Sequence, residues 1–309
     1  MKRFVCLLMM LFTFLAFCSC QNELNESSVD SIESSVTEES KNPTESSIKQ
    51  INTLGYLNSG KMGDTDGPAF AVYSKKGFNG ISVDLNLADM EIQNVLPDGR
   101  YVNGYTFLGI DVFNGDYWTN CIDAGLCWSG KSGGWHIFYN VYEPLNKDTP
   151  TWYESSKKLI KNGTYRLTLT ITEDNYAELT VKSLTGSFTD KVKIEVKGAK
   201  ADGSNTALLF NTALDYPENT KVDFQGKKCE NWTTITLANS DKGLYLRKLH
   251  ATNIKLFKNG AEKNWENNDT SARSIWPDKS VEGFDYSPTE VYLYEEADEY
   301  YINLDMNRK

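Results

Sequence analysis

Gly163-Thr164-Tyr165-Arg166-Leu167-Thr168-Leu169-Thr170-Ile171-Thr172, the turn Glu173-Asp174-Asn175, and the return Tyr176-Ala177-Glu178-Leu179-Thr180-Val181-Lys182 decide the fold class. Successive side chains of a strand point to opposite faces. Tyr165, Leu167, Leu169 and Ile171 therefore share one face, and Ala177, Leu179 and Val181 continue it on the return. Thr, Arg, Glu and Lys fill the alternate positions. That pattern predicts a β-hairpin with one buried and one wet face.

The same period of two recurs in both directions along the chain. It is read at Phe78–Leu87, Tyr101–Phe113, Trp135–Tyr142, Val192–Val196, Thr206–Leu214, Trp232–Ala238, Asn253–Phe257 and Glu290–Leu304. The nearest approach to an amphipathic helix is Trp152–Ile160, predicted as one or two turns on the rim before Asn162-Gly163. Strands separated by Gly, Asn and Asp turns, without intervening helices, predict an all-β fold: an antiparallel β-sandwich of the jelly-roll type over residues 51–309. Residues 261–309 are read as strands appended to that sandwich, because fifty residues alone bury a marginal core.

Three segments resemble the concanavalin A-like lectin and glucanase superfamily, which includes laminin-G-like domains. They are the hairpin Gly163–Lys182, the strand Asn253-Ile254-Lys255-Leu256-Phe257-Lys258-Asn259-Gly260, and Asp66-Gly67-Pro68-Ala69-Phe70-Ala71-Val72-Tyr73. The resemblance spans most of residues 55–260. It implies a jelly roll whose rim binds or processes glycans and often carries a calcium ion.

Upstream, Lys2 and Arg3 precede an apolar run, Phe4–Phe17, whose one polar member is Thr13. Fourteen residues are short of the roughly 20 that a membrane-spanning helix needs, so the run reads as a secretory signal. Its end, Phe17-Cys18-Ser19-Cys20, resembles the lipobox of bacterial lipoproteins. This implies cleavage after residue 19, acylation of Cys20, and a cell-envelope location with membrane contact through the lipid alone. The alternative is an ordinary cleaved signal without lipid. Residues 20–50 form the next segment. From residue 21 to 50 there are seven acids, two lysines and eight serines around isolated Leu24, Val29, Ile32, Val36 and Ile48. So little apolar area cannot offset backbone ordering, and the segment is read as a disordered acidic linker.

The 309 residues carry a formal charge of −10. Losing Lys2 and Arg3 takes it to −12, and the linker accounts for five of those charges, so residues 51–309 hold −7. An acidic, exported chain is a poor partner for a phosphate backbone, and nucleic acid is excluded. With Cys20 acylated, Cys121, Cys127 and Cys229 remain. Cys121-Ile122-Asp123-Ala124-Gly125-Leu126-Cys127 is read as a loop that can close a disulfide ring in an oxidising compartment. No zinc ligand set accompanies His136 or His250.

Residues 113–135 are the most unusual stretch. Asn114, Asp116, Tyr117, Trp118 and Trp128 combine ring faces with short polar groups, the mixture that sugar recognition uses. Asp64-Thr65-Asp66-Gly67 offers two acids and a turn glycine as a candidate structural calcium site, although the rest of an EF-hand pattern is missing. The Glu-x-Asp-x-x-Glu strand of the superfamily's glucanases is absent. So are the Gln-x-His and Tyr-x-Lys strands of jelly-roll polysaccharide lyases and the Gly-x-Ser-x-Gly turn. The sequence therefore points to a surface-anchored lipoprotein that binds extracellular glycan noncovalently and without cofactor through a rim around Trp118 and Trp128. The alternatives are a glycoside hydrolase or polysaccharide lyase with an unrecognised carboxylate pair, and a protein-binding adhesive module.

Overall fold

A computed structural model describes residues 49–50, 67–217, 220–224, 232–236, 242–276, 289–294 and 299–307. The signal, Cys20 and the linker up to residue 48 lie outside these residues, as do the calcium candidates Asp64 and Asp66, and Cys229.

Two antiparallel sheets pack face to face as a sandwich. The strands are β1 (Lys49–Gln50), β2 (Ala69–Ser74), β3 (Gly80–Asn86), β4 (Glu91–Gln93), β5 (Gly104–Asn114), β6 (Tyr117–Ser129), β7 (Gly134–Val141), β8 (Trp152–Lys158), β9 (Thr164–Glu173) and β10 (Tyr176–Ser183). They continue as β11 (Thr189–Glu195), β12 (Thr206–Leu214), β13 (Lys221–Phe224), β14 (Trp232–Thr236), β15 (Tyr245–Lys258), β16 (Ala261–Asn264), β17 (Thr270–Trp276), β18 (Thr289–Tyr294) and β19 (Glu299–Asp305). One sheet runs β1-β18-β19-β15-β3-β9-β10-β11, with β4 and β16 also paired to β15. The other runs β17-β2-β12-β5-β6-β7-β8, and β13-β14 form a separate pair.

The deciding hairpin is present as β9-β10. Tyr165, Leu167, Leu169, Ile171, Ala177, Leu179 and Val181 are all buried, and the turn holds Asn175 at φ 68°. Their inward faces meet Phe70, Val72, Leu108, Ile110, Ile122, Leu126, Leu208 and Phe210 of the seven-stranded sheet. Among the described residues of the C-terminal fifty, β16, β18 and β19 extend the ten-stranded sheet, and β17 adds an edge to the seven-stranded one.

Two local expectations are corrected. Trp152–Lys158 is the edge strand β8, not helical turns. It pairs with β7 from Asn140↔Trp152 to His136↔Lys158, so cross-strand hydrogen bonding and the Tyr139–Tyr153 stack at 5.2 Å prevail over the helical spacing. Cys121–Cys127 is the middle of β6, not a loop, and no disulfide joins the two cysteines. Six residues of strand hold them about 20 Å apart, whereas a disulfide needs Cα atoms within about 7 Å.

Candidate active site

The inward residues of β5, β6, β7 and β12 are settled by the core, so the alternate residues define an outward face. A second apolar cluster lies there: Ala71, Tyr73, Phe107, Cys127, Phe138, Leu209 and Ala272, with Tyr105 against it. Trp152 stacks on Phe138 at 5.3 Å and meets Tyr105 edge-on at 6.4 Å. The seven-stranded sheet thus presents an aromatic floor on its outer side, and polar groups are set into it at fixed registers.

One row across this face reads Leu209, Gly109, Asp123, Asn140, Trp152. Asp123 is half-buried and Asn140 is exposed. Directly opposed residues of antiparallel strands have Cβ atoms about 5 Å apart, so a carboxylate and a carboxamide face each other on rigid neighbouring strands. Gly109 supplies no side chain beside Asp123. A Cβ there would lie 2.8 Å from Leu209 Cγ, so the glycine is what lets Leu209 lean over the strand. Asp111, diagonal to Asp123 on β5, is 3 % exposed and accepts a hydrogen bond from Trp118 Nε1 at 3.0 Å.

A second polar group occupies the end of the face toward the β6–β7 turn. Cys127 and His136 oppose each other there, next to Tyr105. The Tyr105 hydroxyl donates to Asp215 Oδ2 at 3.2 Å and accepts from Asn103 Nδ2 at 3.1 Å. Burial, then the Asp215 carboxylate, pushes the Tyr105 phenol above its ordinary value. Burial also raises the Cys127 thiol, so both stay protonated.

The five residues expected at a ligand rim do not form one surface. Asn114 and Tyr117 pair at the tip of the β5–β6 hairpin, and Tyr117 is exposed. Asp116 is bound there by Lys76 Nζ at 3.1 Å. Trp118 is 41 % exposed and packs edge-on against Tyr142 at 5.0 Å. Trp128, by contrast, is a core residue at 7 % exposure, edge-to-face with Trp135 at 5.6 Å. Ten residues of strand put the two tryptophans about 30 Å apart, so one binding rim cannot use both. Asp123 and Asn140 were missed because they carry no motif. The signal available was their alternation with Ile122, Ala124 and Val141, which puts both on the non-core side.

No protein-family model matches the chain, and no curated protein matches it. Among solved structures it is similar to scytalido-glutamic peptidase bound to a peptide-based transition-state analogue. The identity is 12%, the TM-score is 0.45, and 77% of this chain and 98% of that one are covered. A second structure of that peptidase, with a transition-state analogue inhibitor, gives 12% identity and a TM-score of 0.46 over 77% and 98% of the two chains. SCP-B, a member of the eqolisin family of peptidases in complex with the tripeptide Ala-Ile-His, gives 12% and 0.43 over 76% and 97%. The expected glycan-binding module is corrected on the geometry: Trp128 is a core residue and lies about 30 Å along the strand from Trp118, so the aromatic rim expected to hold sugar is not formed.

Proposed function

We propose that the protein hydrolyses amide bonds in extended polypeptides laid across the outer face of the seven-stranded sheet. The observation that carries this reading is the direct cross-strand opposition of Asp123 and Asn140 beside Trp152. An ionised carboxylate only accepts hydrogen bonds, while a carboxamide nitrogen donates. Asp123 takes a proton from water as the oxygen adds to the amide carbon. Asn140 Nδ2 donates to the carbonyl oxygen as it becomes an oxyanion. Asp123 then returns the proton to the departing amine. Trp152 on one side and the Trp118–Tyr142 pair on the other offer apolar contacts to substrate side chains.

The same proposal includes export and tethering through acylated Cys20, on the strength of Phe4–Phe17 and the Phe17-Cys18-Ser19-Cys20 segment. Cys20→Ser is expected to release the protein from the membrane fraction. A quenched-fluorescence peptide library tests the chemistry. Asp123→Asn is expected to lower kcat by about 10²–10⁴-fold, and Asn140→Ala by about 10²–10³-fold. Peptide cleavage that survives Asp123→Asn at the wild-type rate refutes the assignment.

A further inference from the structure

The turn between β6 and β7 carries a second arrangement that the Asp123–Asn140 chemistry does not use. Ser132 is exposed, and its Oγ lies 2.7 Å from His136 Nε2. The other ring nitrogen, Nδ1, is 2.7 Å from the Ser155 carbonyl oxygen. A carbonyl oxygen only accepts, so Nδ1 carries the proton. In the neutral ring Nε2 is then the lone-pair nitrogen, and the Ser132 hydroxyl donates to it. Glu154 Oε1 stands 4.0 Å from Nδ1, on the side of the ring away from Ser132. The result is a hydroxyl hydrogen-bonded to a base whose tautomer is fixed by a third group.

The surroundings suit attack on an external carbonyl. His136 is 5 % exposed, which fixes the ring, while the turn itself is open. A Cβ built on Gly133, at φ +67°, would meet nothing within 4 Å. Lys158 Nζ donates to the Ser132 carbonyl at 2.5 Å and brings a cation to the turn. Two residues along β7 on the same face, Phe138 with its stacked Trp152 forms an apolar wall.

We infer that Ser132 is an acyl-accepting nucleophile activated by His136, and that it acts on esters with an apolar acyl or aryl group. In the first step a bond forms between Ser132 Oγ and the acyl carbon, and the serine proton passes to Nε2. The ester C–O bond breaks, and the alkoxide leaves with that proton. Water then adds to the acyl carbon, giving its proton to Nε2, and the C–Oγ bond breaks as Ser132 recovers the proton.

The test is phosphonylation of the full chain by an aryl fluorophosphonate, in which an Oγ–P bond forms and fluoride leaves, with the adduct located by peptide mass spectrometry. One adduct, on Ser132, is expected. It should be absent in Ser132→Ala and formed about 10²-fold or more slowly in His136→Gln. Asp123→Asn should label normally, so failure here and failure of the amide-hydrolysis reading are distinguishable. Labelling of Ser132 no faster than of Ser156, or unchanged by His136→Gln in a variant with wild-type circular dichroism, overturns the inference.

Discussion

Arg166 on β9 grips Asp84 on β3 with two hydrogen bonds, Nε to Oδ1 at 2.6 Å and Nη2 to Oδ2 at 2.7 Å. Asn253 Nδ2 adds a third to Oδ2 at 3.0 Å, from β15 on the other side. The carboxylate is buried and the guanidinium partly exposed, so the three central strands of the ten-stranded sheet are tied at one point. Asp84→Ala leaves three donor groups, on two residues, without their acceptor. A loss of about 1–3 kcal/mol in unfolding free energy is expected, discounted for the solvent around Arg166. Urea denaturation measures it, and a change below about 0.5 kcal/mol assigns the pair no structural role.

Facing side chains across β6 and β7 predict a pH effect. Asn140→Asp would set two carboxylates against each other, and like charges raise the pKa of one of them. Asp123 must be ionised to take a proton from water, so the activity of this variant is expected to fail at higher pH than wild type. The acid limb of kcat/KM for peptide cleavage should move upward by about one pH unit or more. An unmoved limb would mean that residue 140 does not act beside Asp123.

Cys127 should be inert. Burial, then the Glu154 and Asp215 carboxylates, hold its thiol above the ordinary value of 9.0. A thiol-exchange reagent at pH 8 is expected to reach it only after unfolding. Since the unfolded thiol ionises near its ordinary value and the folded one above it, the stabilisation is complete below about pH 9 and is lost as pH rises further. Cys127→Ala should flatten the decline of the urea midpoint above pH 9, and rapid native-state modification of Cys127 would contradict its burial.

Asp174 at the β9–β10 turn gives the opposite sign. The Ala201 backbone N–H, then the Lys200 ammonium, hold its carboxyl below the ordinary 3.8. Its contribution is present above that value and is lost as pH falls through the lower folded pKa. Asp174→Asn is therefore expected to lower the thermal midpoint at pH 6 and to match wild type near pH 2, as scanning calorimetry would show.

Much of the fold was legible because a period of two in a half-buried hairpin is a local signal, as Tyr165, Leu167, Leu169 and Ile171 demonstrate. β8 was not legible. The apolar residues of the stretch Trp152–Ile160, namely Trp152, Tyr153, Leu159 and Ile160, fit a helical spacing, and only pairing with Asn140, Tyr139, Phe138 and His136 makes Trp152–Lys158 a strand. The stretch around Trp118 and Trp128 misled for a related reason. Tryptophan among Gly, Ser and Asn looks like a binding loop, but Trp128 takes the inward position of β6 and completes the core with Trp135.

By itself the sequence determined the all-β class and the alternation that divides core from surface, since each depends on residues close together in the chain. Only the tertiary structure decided that Asp123 faces Asn140 and that Ser132 meets His136 with its ring oriented by Ser155. Those relationships depend on strand register, which is fixed by which apolar faces bury against each other across the whole sandwich. The chemistry proposed for this protein therefore rests on the pairing of strands, where no local motif records it.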